Sequence, residues 1–369
     1  MTRREHVVVV GNGVAGFACA RGLHDAGVDV TLVGPGLPYD RPPLSKRALT
    51  DGGASPLATI DGLRALGIRH VDGLASDPAT ARRRVTVHTA EGASLDIAYD
   101  HLVWATGLRS ARPPIPGIEH AHGNSHPADL EQLIPRLSTP RRRVVVIGAG
   151  LIGTETAATL AQAHRVTLVD VDARPLGRLH PRISSAASAA LHRRGVRFLG
   201  SCSIQRLDRS AAGFALATDA GIIDADTVIC ATGMRSTLPA VLGPSGLADA
   251  DERLRLPAHD RVWVCGDLAR YPHPRYGRIS VPHWDTARAA GAHVAASILG
   301  ATERFVREPY WFSDIAGTRV QQVGVPQAAQ DWADDGDATI GYDADGRPVC
   351  VVLVNAPTRL HEARRLLAA

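Results

Sequence analysis

Residues 6–34, HVVVVGNGVAGFACARGLHDAGVDVTLVG, decide the fold of this chain. They contain a short apolar strand, a G-x-G-x-x-G loop formed by Gly11, Gly13 and Gly16, an amphipathic helix and a second apolar strand. The first glycine permits a tight turn, the second lets a pyrophosphate approach the backbone, and the third lets the helix pack closely on the strand. The helix N-terminus then faces the anion. The stretch therefore predicts a dinucleotide-binding βαβ unit.

The same pattern occurs a second time at residues 143–170, RVVVIGAGLIGTETAATLAQAHRVTLVD. A lone G-x-G-x-x-G is weak evidence, whereas two copies, each between a strand and a helix, strongly indicate two dinucleotides. The segments DHLVWATG (100–107) and DTVICATG (226–233) form a second repeat, in which an apolar strand runs into Ala-Thr-Gly. Each follows its own glycine loop at a similar interval. We therefore expect the second dinucleotide fold to be inserted into the first.

These repeats predict an α/β chain with two Rossmann-like domains and a small third domain. The first domain is expected to be discontinuous, over residues 1–112 and 230–305. The inserted domain is expected over residues 113–229. Strand-like runs and a final helix predict a small α+β domain over residues 306–369.

The composition is that of a soluble globular protein of two or three domains, with 369 residues, 45% of them apolar and 21% charged. No apolar run approaches the ~18–20 residues of a membrane helix, and the N-terminus runs into a strand without room for a signal peptide. The five cysteines are scattered and form no C-x-x-C motif. We therefore expect a cytoplasmic protein without a disulfide framework, a dithiol centre or a metal site.

The net charge is +4, and the positive residues are arginines except for Lys46. Either an ordinary solvated surface or a basic face that docks an acidic partner would explain this excess. Nucleic acid is not expected as a partner, because only 4% of residues are aromatic and no nucleic-acid-binding module occurs. The sequence is compatible with a monomer and with a homodimer.

Residues 37–46, LPYDRPPLSK, follow the first dinucleotide motif and end at Lys46. Their three prolines exclude a helix there, because each fixes φ and removes a backbone donor. The segment is therefore expected to form a rigid elbow.

The order of these segments resembles that of the FAD-dependent, NADH-using ferredoxin reductases, the putidaredoxin reductase-like group of the glutathione-reductase superfamily. The resemblance covers essentially the whole chain. It rests on the first glycine loop, LPYDRPPLSK, GAGLIGTE, the two ATG turns, VCGDLARYPHPRYG, HWDTA and EPYWFSD. It implies that FAD binds the discontinuous domain and NADH the inserted one. The elbow then stands where disulfide-reducing relatives carry a pair of cysteines.

The resemblance also implies two sets of binding residues. The FAD set is Gly11, Gly13, Val14, Ala15, Gly16, Arg41, Pro43, Lys46, Ala105, Thr106, Gly107, Gly266, Asp267, His283 and Trp284. The NADH set is Gly148, Gly150, Leu151, Ile152, Gly153, Asp170, Ala231, Thr232 and Gly233.

Lys46 and Glu155 are the residues to which the resemblance gives a catalytic role. Lys46 is expected beside the isoalloxazine ring, where its charge would favour the anionic reduced flavin, and Glu155 is the position that pairs with it. The alternative is an ordinary surface ion pair. Asp267 is expected to accept a hydrogen bond from the ribityl chain just before a helix, and a plain helix cap would explain it equally. Trp284 is expected against the flavin ring, with a core position as the alternative.

Trp311 in EPYWFSD is expected either to shape the flavin pocket or partner face or to lie in the core. Asp170 follows the second strand of the second repeat, where a carboxylate accepts hydrogen bonds from the adenosine ribose and repels a 2′-phosphate. Arg165 and Arg174 flank it in sequence and weaken this inference. NADH is nevertheless expected in preference to NADPH.

Three features depart from the family pattern. Gly34, Pro35 and Gly36 follow the second strand of the first repeat, where the family carries an acid. Pro282 replaces a glutamate before HW, and the C-terminal domain is short. These departures put the electron acceptor in doubt more than FAD itself.

The leading hypothesis is an oxidoreductase that takes hydride from NADH and passes electrons singly to a ferredoxin, of the [2Fe-2S] or a similar type, serving a haem monooxygenase or ring dioxygenase. One alternative is an FAD enzyme that oxidises or reduces a small molecule directly in a biosynthetic pathway. Another is a slow redox-responsive binding protein. A test with and without a ferredoxin distinguishes these hypotheses.

Overall fold

The computed structural model describes residues 4–54, 56–210, 213–244 and 246–368. The helices are α1 (Val14–Asp25), α2 (Ile60–Ala65), α3 (Pro127–Leu137), α4 (Leu151–Leu160), α5 (Pro181–Arg193), α6 (Trp284–Ile298) and α7 (Leu360–Ala368). The strands are β1 (His6–Val10), β2 (Asp29–Val33), β3 (Arg69–Val71), β4 (Gly73–Ala75), β5 (Arg84–Thr89), β6 (Ser94–Ala98), β7 (His101–Trp104), β8 (Leu108–Ser110), β9 (Arg143–Ile147), β10 (Arg165–Val169), β11 (Arg197–Leu199), β12 (Ile204–Ser210), β13 (Gly213–Thr218), β14 (Gly221–Ala225), β15 (Thr227–Cys230), β16 (Met234–Ser236), β17 (Ala248–Asp249), β18 (Val262–Val264), β19 (Ala269–His273), β20 (Gly277–Ile279), β21 (Tyr310–Ile315), β22 (Thr318–Gly324), β23 (Asp331–Asp335), β24 (Ala338–Tyr342) and β25 (Pro348–Val354).

The chain folds into two compact units. The first unit consists of Met1–Arg41, Ser55–Leu108 and Ser236–Arg307, and the second of Pro42–Ala54, Arg109–Arg235 and Glu308–Ala369. The elbow and the C-terminal segment therefore belong to the same unit as the inserted dinucleotide fold. The three-domain division drawn from the sequence stays a prediction.

A parallel sheet with the strand order β18-β7-β1-β2-β3 forms the centre of the first unit. Strand β1 lies in its middle, and its residues Val7–Val10 are at most 3% exposed. A strand covered on both faces must be apolar throughout, which explains the four consecutive valines. Helices α1 and α6 pack against each other in this unit, and two three-stranded sheets, β4-β5-β6 and β17-β19-β20, complete it.

The second unit contains a parallel sheet with the order β11-β10-β9-β15 and an antiparallel sheet, β12-β13-β14. Its C-terminal part is the antiparallel sheet β21-β22-β25-β24-β23, against which α7 packs. Arg182 on α5 joins the two parts, because its guanidinium donates to the carbonyl oxygen of Ala338 and the hydroxyl of Thr339, both at 3.0 Å.

The predicted fold class is confirmed, since both repeats form a strand, a helix and a parallel strand. The elbow differs in detail from the expectation of no helix. Pro42–Ser45 and Arg47–Leu49 each form one short 3-10 turn, which tolerates proline at its first positions. The prediction of a helix directly after Asp267 is wrong. This residue lies in a 3-10 turn, Gly266–Leu268, that leads into the strand β19. Among the described residues, no helix is long and apolar enough to cross a membrane.

Candidate functional site

The first glycine loop forms a cradle between β1 and α1. Gly11 has φ +112°, and a Cβ at this position would lie 2.3 Å from the carbonyl oxygen of Ala105. A Cβ at Gly16 would lie 1.8 Å from the carbonyl oxygen of Gly11. A Cβ at Gly13, in contrast, would meet nothing within 4 Å among the described residues, and none of their side chains caps the N-terminus of α1 there. Gly11 and Gly16 are thus needed for packing, while Gly13 leaves open space at the start of α1.

The second glycine loop repeats this geometry in the second unit. A Cβ at Gly148, where φ is +99°, would lie 2.5 Å from the carbonyl oxygen of Ala231. A Cβ at Gly153 would lie 1.8 Å from the carbonyl oxygen of Gly148, whereas one at Gly150 would meet no described residue within 4 Å. In the described part of the chain, the N-terminus of α4 also lacks a side-chain cap. Each unit therefore presents an uncapped helix N-terminus to an anion.

The two Ala-Thr-Gly turns lie against these loops. The first turn is fixed by a hydrogen bond of 3.0 Å between the hydroxyls of Thr106 and Thr237. In the second turn, the Thr232 hydroxyl donates to the Ala111 carbonyl at 3.1 Å. Gly107 (φ +63°) and Gly233 (φ +115°) end the turns in backbone conformations that favour glycine. The repeat noticed in the sequence thus corresponds to a turn that supports each cradle.

The first turn of α1 also brings in more distant residues. Gly266 has φ +78°, and its Cβ would lie 2.9 Å from that of Ala15. A Cβ at Gly291 on α6 would lie 2.0 Å from the Ala15 carbonyl oxygen, so α6 can approach α1 only at a glycine. The predicted residue Ala15 is therefore adjacent to the Gly266–Asp267 turn.

Asp267 is a largely buried carboxylate in that turn. Its nearest cation is Arg41, 3.7 Å away. Burial raises the pKa of Asp267, and Arg41 opposes this shift. A buried carboxyl group beside the cradle is suited to hydrogen bonding with ligand hydroxyls.

His283 and Trp284 mark the start of α6. The His283 imidazole caps the helix by accepting from the Asp285 N–H at 3.4 Å. Trp284 is half-buried, and the Arg288 guanidinium lies 5.5 Å from its ring centroid. The Trp284 Nε1 is buried and has no hydrogen-bond partner within the described part of the chain. This orphaned donor fits a site that a cofactor completes.

Lys46 and Glu155 form an ion pair within the second unit. Lys46 Nζ lies 3.0 Å from Glu155 Oε1, and the two side chains are 25% and 9% exposed. The hydroxyls of Ser45 and Ser313 each donate to this carboxylate, both at 2.5 Å. Lys46 Nζ also lies 5.9 Å from the Phe312 ring centroid. The contact is therefore a partly buried network rather than the exposed surface pair that was the alternative.

Pro43, another residue of the predicted FAD set, lies in the elbow. Pro43 lies in the 3-10 turn Pro42–Ser45, and its side chain lies outside the described part of the structure. Trp311 on β21 is half-buried.

Asp170 follows β10 and is held against the second glycine loop. Its carboxylate accepts from the N–H of Ala149, inside the loop, and from the N–H of Asp172 at 2.8 Å. Arg165 begins the same strand opposite Arg143, so it lies about 16 Å away at ~3.3 Å per residue. Arg165 therefore does not offset the charge of Asp170, although it flanks this residue in the sequence.

Three polar residues that hold the candidate site in place were not identified from the sequence. Ser45 and Ser313 bind Glu155, and Thr237 binds the first Ala-Thr-Gly turn. Ser45 stands directly before Lys46 and could have been noticed. Nothing local marks Ser313 or Thr237, because their contacts span more than 100 positions.

All five cysteines are buried thiols. Burial raises the pKa of Cys265 to about 12 and also raises that of Cys19. A thiol that stays protonated is a poor nucleophile. The expectation that the chain has no disulfide framework is consistent with this arrangement.

A family model described as pyridine nucleotide-disulphide oxidoreductase matches residues 5–291. The chain is 33% identical to the ferredoxin–NAD(+) reductase component of an anthranilate 1,2-dioxygenase system from Burkholderia cepacia, over 98% of this chain and 94% of that protein. It is 29% identical to putidaredoxin reductase from Pseudomonas putida, over 100% and 92% of the two chains. The solved structure of a covalent putidaredoxin reductase–putidaredoxin complex is similar, with a TM-score of 0.88 and 25% identity over 98% of this chain and 93% of that one.

The paired dinucleotide folds and these similarities define the class of the protein. The chain belongs to the pyridine nucleotide-disulphide oxidoreductase family and, within it, to the ferredoxin reductases that its relatives represent. The resemblance inferred from the sequence is thereby confirmed. The family implies FAD and a nicotinamide cofactor. FAD fits the first unit, since Gly13 leaves room for a pyrophosphate and the buried Trp284 Nε1 has no hydrogen-bond partner among the described residues.

Proposed function

We propose that the protein is an NADH-dependent ferredoxin reductase. Bound FAD would accept hydride from NADH and deliver the electrons one at a time to a ferredoxin. The observation that carries this proposal is the pair of matching glycine cradles, each with an open central glycine and an uncapped helix. The similarity to ferredoxin reductase components over nearly the whole chain supports the choice of acceptor.

We assign FAD to the first unit. Its pyrophosphate would meet the N–H groups of Gly13, Val14 and Ala15 at the start of α1, and Asp267 would accept a hydrogen bond from a ligand hydroxyl. Trp284 would offer its indole N–H or ring face. We keep the predicted functional domains, residues 1–112 with 230–305 for FAD, 113–229 for NADH and 306–369 as a C-terminal domain.

We assign the nicotinamide cofactor to the loop before α4, where Gly150, Leu151 and Ile152 would meet its pyrophosphate. NADH is favoured over NADPH because two backbone N–H groups fix the Asp170 carboxylate beside the loop. A 2′-phosphate placed there would face a like charge, which disfavours it by an amount that depends on solvent screening.

The Lys46–Glu155 pair is proposed to tune the reaction. Its lysine is the one lysine of a chain whose other basic residues are arginines. An ammonium is a compact point charge, whereas a guanidinium is a broad planar fork, so the two are not equivalent in a partly buried site. The two serine hydroxyls keep the carboxylate oriented, which would hold Lys46 in place.

We further propose that the ferredoxin docks on a basic face within residues 1–307. The segment 308–369 carries nine acidic and five basic residues, so the positive excess of the chain lies before it. A complementary charge mainly raises the association rate of an acidic ferredoxin. Five buried, unpaired thiols are in keeping with the proposed cytoplasmic location.

The purified protein tests this proposal directly. It should be yellow, lose its flavin absorbance on addition of NADH under argon, and reduce cytochrome c many-fold faster once a [2Fe-2S] ferredoxin is added. NADPH in place of NADH serves as the control for the nicotinamide assignment. Rapid turnover with ferricyanide but indifference to ferredoxins would instead favour an enzyme that acts on a small molecule.

A further inference from the structure

The end of β2 carries no acid, although dinucleotide folds commonly place a carboxylate there to bind the adenosine ribose. The chain continues with Gly34, Pro35 and Gly36, and the side chain of Asn12 occupies the space beside them. A Cβ at Gly34 would lie 2.4 Å from the Asn12 Cγ. Asn12 Nδ2 donates to the carbonyl oxygens of Pro35 at 3.0 Å and Gly36 at 2.9 Å. The loop is thus fixed in a form without room for an acidic side chain at position 34.

A carboxylate reaches the same loop from the neighbouring strand. Val33 on β2 lies opposite Val71 on β3, so Asp72 stands at the same carboxyl edge of the sheet. The Gly34 N–H donates to the Val71 carbonyl at 3.1 Å, and the Gly36 N–H donates to Asp72 Oδ1 at 3.0 Å. In the part of the chain that the structure describes, Asp72 Oδ2 has no hydrogen-bond partner. One oxygen of Asp72 therefore holds the loop, and the other is available to a ligand.

The neighbouring histidine does not cancel this charge. Burial lowers the pKa of His70 on β3, while Asp72 and the backbone of Gly34 and Gly36 oppose the shift. The imidazole is therefore neutral at pH 7 and does not form an ion pair with the Asp72 carboxylate. An ionised carboxylate is an acceptor only, which matches the two hydroxyl donors of a ribose.

We propose that Asp72 replaces the missing acid and binds the adenosine ribose of FAD through Oδ2. This inference rests on the proposed function, since it requires that FAD occupies the first unit. It assigns to the end of β3 a role that the end of β2 cannot perform in this chain. Asp72 would act in cofactor binding, not in electron transfer.

The test measures the affinity of the apoprotein for FAD in a titration, with quenching of the flavin fluorescence as the signal. We expect Asp72→Asn to weaken FAD binding about tenfold or more, because a charge-assisted hydrogen bond is lost. The asparagine keeps an oxygen that can accept from the Gly36 N–H, so the loop should remain folded. Asp25→Asn, which removes an exposed carboxylate at the far end of α1, should bind FAD like the wild type.

An FAD analogue with 2′,3′-dideoxyadenosine identifies the contact. The wild type should bind the analogue about as weakly as Asp72→Asn binds FAD. The variant should bind the analogue and FAD with the same affinity. The proposal would be overturned if replacing FAD with the analogue lowered the affinity of the wild type and of Asp72→Asn by the same factor. Unchanged FAD binding by Asp72→Asn combined with weak binding by Asp72→Ala would also overturn it, because Asp72 would then only brace the loop. A wild type that binds no FAD at all would refute the proposed function instead.

Discussion

Replacing Lys46 with methionine keeps most of its volume and removes its charge from Glu155. At 3.0 Å and an effective dielectric of about 20, the pair interacts by about 5–6 kcal/mol before desolvation is counted. Removing one partner of a buried pair typically costs about 3–5 kcal/mol. Lys46 is partly exposed, and two serine hydroxyls still bind the carboxylate, so we expect a loss of about 3 kcal/mol in the free energy of unfolding.

Thermal unfolding measures this effect, and for a chain of 369 residues the expected loss corresponds to a Tm lower by about 4 °C. The double variant Lys46→Met, Glu155→Gln leaves no unpaired charge and should cost about 2 kcal/mol less than the sum of the single variants. Arg47→Met is the matched control, because this neighbouring side chain is exposed and should change stability by less than about 0.5 kcal/mol. Additive single effects, or a loss below about 1 kcal/mol for Lys46→Met, would refute the reasoning.

Three further predictions follow from the nucleotide-binding half of the second unit. Gly153→Ala should lower the Tm by several degrees, because its Cβ would lie 1.8 Å from a backbone oxygen. Gly150→Ala should keep the Tm of the wild type, because its Cβ would lie in open space, and should lose NADH affinity in a fluorescence titration. Asp170→Ala should shift the ratio of kcat/KM for NADH over NADPH toward NADPH by about tenfold, a loss of about 1.4 kcal/mol of discrimination; an unchanged ratio would remove Asp170 from nicotinamide recognition. Arg143 lowers the pKa of Asp226, so this carboxylate stabilises the fold above its unfolded pKa, and the contribution is lost as the pH falls through the lowered value. In urea, Asp226→Asn should therefore be less stable than the wild type at pH 7, with the gap closing toward pH 3, and a constant gap would contradict this assignment.

The sequence by itself determined the two dinucleotide folds. Each G-x-G-x-x-G loop lies between an apolar strand and a helix, and this order of residues can be read along the chain without the structure. The repeat of the Ala-Thr-Gly turns can likewise be read along the chain. The order of these motifs indicated the family, and the matches over residues 5–291 and over 98% of the chain confirm it.

Only the tertiary structure decided how the polar groups are arranged around the loops. Ser45 and Ser313 reach Glu155 across 110 and 158 positions, and no local pattern encodes such distances. Sequence proximity also misleads, since Arg165 lies near Asp170 in the chain but at the opposite end of β10. In the first unit, parallel pairing of β2 with β3 brings Asp72 to the loop that lacks an acid. Side chains at the ends of parallel strands share one edge of the sheet, and only the order of the strands determines which of them meet.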